Sequence, residues 1–304
     1  MIEERSKADR RMKRRCCLVI NMETIKDIKE LKRKLERWSN GSVGLVHTRG
    51  PLNEGHIEMI KAARKENFFV VVSNIVLQRE FNDVKEYELY PRYCAEDERK
   101  ATLSGADFFF VPEVEAFECM DSVIGIKIKD HLKEELNGQG RPHYYEEQLT
   151  TLVKLFNIVE PKNFYMCDED LQQVYFIERV LKQLHYDCNL KVLPAIRDEN
   201  QLLLDSRKEY LKQDEKNQVN RLGKIFAKAQ TAYAKGMTSS RKIKWHVENE
   251  LSDLYLCQLE FVEIVEPERL RKIETIINEA ILMIGVKVGK ITIYDYVRLK
   301  KEIN

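Results

Sequence analysis

Short apolar runs alternate with amphipathic stretches over the first two thirds of the chain. Residues 16–20 form an apolar run of strand length. From Thr24, the residues Ile25, Ile28, Leu31, Leu35 and Trp38 recur at spacings of three and four, which predicts a helix that Gly41 ends. Residues 43–46 predict a second strand and 56–65 a helix. Residues 68–73 predict a third strand, apolar throughout as a strand covered on both faces should be. The alternation continues with helix over 94–103, 146–157 and 170–184, and strand over 108–111, 163–166 and 191–193. Strands alternating with helices imply a parallel sheet with helices on both faces, which binds ligands at the carboxyl ends of its strands.

After Asp205 the pattern changes. Residues 206–235 predict a long polar helical stretch. Residues 245–304 mix short strands, over 257–265 and 280–288, with charged helix. The expected organisation is a basic arm over 1–15, an α/β domain over 16–199 and a smaller α+β domain over 200–304, with the boundary between Pro194 and Asp205.

Charge and composition narrow the function classes. The 304 residues carry 51 Lys and Arg against 50 Asp and Glu, so a net charge of +1 gives no global case for nucleic-acid binding. No apolar run reaches the roughly 18 residues of a membrane span. The arm carries seven basic and three acidic residues without an apolar core, so it does not read as a secretory signal. Seven Cys, an odd number with no C-x-x-C pair, read as reduced thiols in the cytoplasm rather than as a disulfide framework or a metal site. No metal ligands are expected from the spacing of His131, His185 and His246.

The segment from Gly44 to His56 holds the candidate chemistry. A strand runs into a loop with Gly50 and Gly55, and a helix is expected to begin near His56. Free N–H groups and the helix dipole attract phosphate there, and glycine lets the backbone approach an anion closely. An imidazole at the helix start can donate to a phosphoryl oxygen as charge develops on it.

Several ordered motifs resemble the pantothenate synthetase (pantoate–β-alanine ligase) family of HIGH-type nucleotidyltransferases. The segment from His47 to His56 is similar to the family's P-T-M-G-x-L-H-x-G-H. Tyr90-Pro91-Arg92 with Asp97 resembles its Y-P-R…D, and residues 154–161 are nearly family sequence. Asp170-Leu171-Gln172-Gln173 resembles D-x-Q-Q, and Ser206-Arg207 with Tyr210-Leu211 resembles S-R-N-x-Y-L. The resemblance implies a Rossmann-like parallel-sheet nucleotide-binding domain with a smaller C-terminal α+β lid domain. It implies two-step chemistry with ATP and Mg2+: adenylation of an acid, then attack by an amine. Small-molecule acid and amine partners and a homodimer are implied with it. Transferred residue by residue, His56, Arg207 and Ser206 are the catalytic candidates. Thr48, Arg49, Gly50, Asn53, Gly55, Asp170 and Asp205 would hold the nucleotide, and Glu80, Arg141, Tyr144 and Gln173 the acid.

The departures fall on the chemistry. Asn53 stands for the family's first His, Arg49 for its Met, Glu80 for a Gln, Glu169 for a phosphate-facing Lys, and Asp205 for a Ser. Tyr144-Tyr145 stands where the family has His-Phe. Three readings stay open at this level: a divergent synthetase, a ligase with a changed acid or amine, and a non-catalytic homologue acting as a binding or regulatory module.

Overall fold

The computed structural model describes residues 22–37, 41–81, 84–90, 92, 94–118, 123–141 and 143–300. The expected arm over 1–15 and strand over 16–20 lie outside these residues. The chain divides into two compact units. One holds the described residues up to Lys127 with Glu146–Asp168 and Ile177–Leu193. The other holds Ile128–Tyr145, Glu169–Phe176 and the chain from Pro194 on.

The first unit is built on six parallel strands: β1 (Glu23–Ile25), β2 (Val43–Thr48), β3 (Phe69–Asn74), β4 (Phe108–Phe110), β5 (Asn163–Cys167) and β6 (Asn189–Leu193). Their order is β1-β4-β3-β2-β5-β6. The chain therefore builds outward from β2 in one direction with β3 and β4 and in the other with β5 and β6. In open parallel sheets this reversal marks the crevice where ligands bind. The helices are α1 (Ile28–Glu36), α2 (Glu54–Glu66), α3 (Val84–Leu89), α4 (Cys94–Ser104), α5 (Val114–Glu118), α6 (Tyr144–Val159) and α7 (Leu171–Gln183). Every residue of β3 is buried, as its unbroken apolar run predicts.

The expected helix from Thr24 is corrected. Glu23–Ile25 pairs with Phe108–Phe110 as an edge strand. The helix starts only after Asp27, whose carboxylate accepts the Glu30 N–H at 2.7 Å as N-cap.

The second unit contains a three-stranded antiparallel sheet in the order β7-β8-β9, with β7 Cys257–Val265, β8 Glu279–Val288 and β9 Ile291–Lys300. The helices α8 (Gln213–Asn220), α9 (Leu222–Ala234) and α10 (Ser240–Ser252) belong with it. Leu222, Phe226 and Tyr233 of α9, Ile243 and Val247 of α10, and Leu282, Ile284 and Val286 of β8 share one core. The long helix expected over 206–235 is instead three pieces: a 3-10 turn over Ser206–Tyr210, then α8, then α9 after a break at Arg221. The charged helix expected at the end of the chain is corrected to the strand β9, which pairs along its whole length with β8.

Candidate active site

In the first unit the carboxyl end of β2 leads into α2 through a loop held by buried polar groups. Thr48 Oγ1 donates to the Gly50 carbonyl at 3.0 Å. Gly50 takes a φ of +154°, and a Cβ there would stand 2.6 Å from the ring of Tyr90, so only glycine fits. Asp97, fully buried on α4, accepts the Leu52 N–H at 2.7 Å and an Asn74 amide N–H at 3.3 Å. Lys100 Nζ donates to the Leu52 carbonyl at 2.8 Å. Both backbone groups of Leu52 are thus satisfied from one helix, which holds the loop in a single shape.

The helix begins two residues earlier than expected. Glu54 is its first residue, Asn53 is the N-cap, and His56 is the third helical position. Asn53 Oδ1 accepts the His56 N–H at 3.1 Å, and the Asn53 N–H donates to His56 Nδ1 at 3.2 Å. This reciprocal pair is a capping box in which histidine takes the place usually held by Glu or Gln. Because Nδ1 accepts, the proton of the neutral ring sits on Nε2. Burial, then the charges of Arg49 and Lys100, push the His56 pKa down to about 4. His56 is therefore a neutral hydrogen-bond donor at neutral pH. His47, on β2, meets Ser73 Oγ of β3 through Nδ1 at 2.9 Å, and burial followed by Arg49 and His56 lowers its pKa to about 3.

Glu80 follows the carboxyl end of β3 in a short 3-10 turn and is buried. Its Oε1 accepts Thr151 Oγ1 of α6 at 2.8 Å, and its Oε2 lies 3.9 Å from the Arg49 guanidinium. Gly55 faces the end of β5, where the Cys167 sulfur is 3.9 Å from the Gly55 carbonyl.

The second unit gathers its own charged groups. Asp170 Oδ1 accepts the N–H groups of Gln172 and Gln173, both at 3.1 Å, and so holds the start of α7. The Tyr145 hydroxyl donates to the same carboxylate at 3.1 Å. Gln172, wholly buried, accepts the Asn137 N–H at 2.8 Å and donates to the carbonyls of Leu132 and Glu135. The two glutamines of the motif therefore differ in kind: Gln172 fastens the 132–137 segment, while Gln173 is only partly covered. The Arg141 guanidinium lies over the Tyr144 ring, 3.1 Å from its centroid, and 5.5 Å from that of Tyr294, with Nη1 donating to the Asn137 carbonyl at 3.3 Å. Such cation–π contacts fix the plane of the guanidinium.

Arg207 is clasped by Asp205. Asp205 Oδ1 accepts the Arg207 backbone N–H and Nε, both at 2.9 Å, and Oδ2 accepts Nη2 at 2.7 Å. Burial pushes the Asp205 carboxyl up, but the charge and hydrogen bonds of Arg207 hold it below the usual carboxylate range. Ser206 opens the same turn.

The structure thus brings Thr48, Arg49, Gly50, Asn53, Gly55, His56 and Glu80 to the carboxyl end of the central strands of the first unit. It places Arg141, Tyr144, Asp170, Gln173, Asp205, Ser206 and Arg207 in the second. Reading the residues alone missed Lys100 and the second role of Asn53. The resemblance assigns Asn53 to the nucleotide, whereas its oxygen caps α2; the signal is an Asn three positions before the histidine. Asp97 was visible in the sequence but had no role until its bond to Leu52 was seen.

A six-stranded parallel sheet that reverses at its centre and leads into a glycine-bearing helix start defines an α/β protein of the nucleotide-binding class. The profile of the pantoate-beta-alanine ligase family matches residues 23–298. The chain is 34% identical over 276 residues to the pantothenate synthetase of Thermosipho melanesiensis, covering 90% of this chain and 98% of that one. It is 31% identical to that of Clostridium botulinum strain Langeland over the same shares. The solved structure of the Thermus thermophilus pantothenate synthetase superposes with a TM-score of 0.86 at 25% identity, covering 92% of this chain and all of that one. The Francisella tularensis pantoate-beta-alanine ligase, solved with beta-gamma ATP and beta-alanine, has the same fold, with a TM-score of 0.76 at 24% identity over 91% and 97% of the two chains. The chain belongs to the pantoate-beta-alanine ligase family. Among the described residues no helix is long and apolar enough to cross a membrane.

Proposed function

We propose that this protein is an ATP-dependent, AMP-forming acid–amine ligase that adenylates pantoate or a close relative and joins the acyl group to β-alanine. In the first step a carboxylate oxygen of the acid attacks the α-phosphorus of ATP and pyrophosphate leaves. In the second the amine nitrogen attacks the acyl carbon, AMP leaves and the nitrogen gives up a proton. Both steps call for positioned donors rather than a covalent enzyme intermediate.

The observation that carries this reading is the locked, neutral His56. Its Nε2–H needs no reorganisation to meet an oxygen that gains charge as pyrophosphate departs. The start of α2 adds its dipole, and Gly55 places no side chain of its own there. Among the described residues there is no group of three or more metal-ligating side chains. Mg2+, implied by the family resemblance, would be held chiefly by the substrate phosphates and would supply charge neutralisation there. The homodimer implied by the family resemblance belongs to this proposal, and light scattering reads it directly.

One observation favours the non-catalytic reading instead. The Asp205 carboxylate already takes the Nε–Nη2 edge of Arg207 and offsets its charge, so that cation offers a phosphate less net positive charge and one bidentate edge fewer.

ATP–pyrophosphate isotope exchange decides between them. Exchange dependent on pantoate, and abolished by His56→Ala in a folded protein, is the expected result. Exchange only with another acid would reassign the substrate. No exchange with a panel of hydroxy and amino acids would leave the binding-module reading in its place.

A further inference from the structure

Leu203 has both of its backbone groups bonded by side chains. Its N–H donates to Asp295 Oδ2 at 2.9 Å, and its carbonyl accepts Lys208 Nζ at 2.9 Å. Leu203 lies on a small hairpin of the second unit. Arg197 and Leu203 pair as an antiparallel bridge. The Leu204 N–H donates to the Ile196 carbonyl at 3.1 Å, and the Asp198 N–H to the Leu202 carbonyl at 2.8 Å. Asp198 Oδ1 accepts the N–H groups of Asn200 and Leu202, which closes the turn.

Three anchors seat this hairpin. Leu202 is fully buried in the core shared by α9, α10 and β8. The Asn200 carbonyl lies against Gly223 of α9, where a Cβ would stand 1.8 Å from it. The third anchor is Asp295 of β9, whose side chain is 1% exposed. Besides the Leu203 N–H it accepts Arg197 Nη1 at 3.1 Å. Arg197 in turn donates to the carbonyls of Gln201 at 2.8 Å and Tyr296 at 2.7 Å. A buried carboxylate is stable only with such partners, so each end of this link holds the other in place.

The position of the hairpin reaches Arg207 through Lys208. Lys208 Nζ donates to Asp198 Oδ2 at 3.0 Å as well as to the Leu203 carbonyl. Its side chain is 16% exposed, so water competes little for these bonds. Two oxygens of the hairpin are thus tied to the residue that follows Arg207, inside the 3-10 turn whose start Asp205 caps. Lys208 stands at the Asn of S-R-N-x-Y-L, so this tie belongs to the present chain and not to the motif.

We infer that Asp295 and Lys208 are positioning residues: the carboxylate fixes the Leu203 hairpin to β9, and the ammonium carries that register to the turn, so that Arg207 is aimed before nucleotide arrives. This rests on the ligase reading above. Neither side chain has to touch substrate. A backbone held in advance loses less entropy when the guanidinium meets a phosphate, and a small misplacement weighs more on the transition state than on the bound ground state.

Hydrogen–deuterium exchange of the full chain, wild type against Asp295→Asn and Lys208→Met, reads this relay without nucleotide. Asparagine keeps one acceptor oxygen but turns a donor towards Arg197 or Leu203, and methionine keeps the apolar stem of Lys208 while losing both bonds. In each variant the Arg207 and Lys208 amides should exchange at least about tenfold faster, the scale of a removed hydrogen bond, while peptides of α9 and β8 stay unchanged. The ATP–pyrophosphate exchange rate at saturating ATP, per folded protein, should fall about tenfold while the KM for ATP moves by less than about threefold. The double variant should lose no more than Lys208→Met alone, because the relay is already cut. Arg197→Lys, which keeps the charge beside Asp295 but lacks the planar fork, tests the same link if Asp295→Asn does not fold. Unmoved amides at Arg207 and Lys208, a rate that follows only the folded fraction, or additive losses in the double variant would each overturn the inference and leave the ligase reading standing. No isotope exchange by the wild type with any acid would overturn both.

Discussion

Asn53 and His56 hold each other through two reciprocal backbone-to-side-chain hydrogen bonds, at 3.1 and 3.2 Å, across the first turn of α2. One interaction does two things. It satisfies amide groups that a helix start leaves unpaired, and it sets the histidine tautomer that the chemistry requires.

Asn53→Ala removes the side-chain cap but keeps the backbone N–H that His56 Nδ1 accepts. The lost cap should cost about 1 kcal/mol of stability, read as a lower urea midpoint. Exchange activity of the folded fraction should be largely kept, because the residue-53 backbone N–H still donates to His56 Nδ1 and holds its tautomer. Asn53→Asp keeps an oxygen at the cap and should recover the stability. If Asn53→Ala leaves stability intact but abolishes exchange in the folded protein, the side chain acts on the reaction directly and the tautomer argument is wrong.

The two histidines also make stability depend on pH. Their folded pKa values, about 4 for His56 and about 3 for His47, lie below the ordinary value of 6.5. Between those limits the unfolded chain binds more protons than the folded one, so stability rises with pH. The contribution is complete above about pH 6.5 and is lost as the pH falls towards 4 for His56 and 3 for His47. For His56 it amounts to up to about 3 kcal/mol, less as water screens the half-buried ring. Buried carboxyls whose pKa is raised, Asp97 and Asp295 among them, act in the opposite direction. The measurement is therefore the difference in urea midpoint between wild type and His56→Gln at about pH 7 and about pH 4.5. The variant should lose less stability on acidification, and equal losses would refute the assignment.

How far the sequence discloses this structure depends on which periodicity each residue obeys. The strand Phe69–Asn74 is legible because both of its faces are buried and its apolar run has no gap. The strand Ile291–Lys300 is not. Its buried apolar positions Ile293, Tyr296 and Leu299 fall three apart and imitate a helix. The position that breaks the pattern is Asp295, buried because Arg197 reaches it at 3.1 Å and the Leu203 and Tyr296 N–H groups bond to it. Only the fold reveals a carboxylate that behaves as a core residue. The same holds at the site. His56 and Gly55 stand out along the chain, whereas Lys100, which with Asp97 ties down Leu52 from more than forty positions away, carries no local signal.

The Asp205–Arg207 clasp gives a directional prediction. Asp205→Ser removes a bidentate carboxylate but keeps an oxygen able to accept the Arg207 backbone N–H. The released guanidinium should meet nucleotide phosphate more readily, with the KM for ATP falling by about fivefold, a modest share of a charge-assisted pair. Asp205→Asn, which removes the charge and retains the shape, should fall between. An unchanged KM in both variants would mean that Arg207 does not contact phosphate.

Glu169 tests the charge balance of the nucleotide site most simply, because it is exposed in the turn between β5 and α7 and its replacement disturbs no core. Glu169→Lys changes the local charge by two units and Glu169→Gln by one. If the position faces phosphate, the two variants should form a series: ATP affinity rises about threefold for Gln and about tenfold for Lys, the scale of roughly 0.7 kcal/mol per screened unit charge. Coulomb interactions at an exposed position weaken with ionic strength, so the gain should shrink as salt is raised from about 0.05 M to about 0.5 M. A gain that resists salt would point to a new hydrogen bond rather than to charge. No gain for either variant would remove Glu169 from the nucleotide site and place its departure from the family pattern outside the reaction.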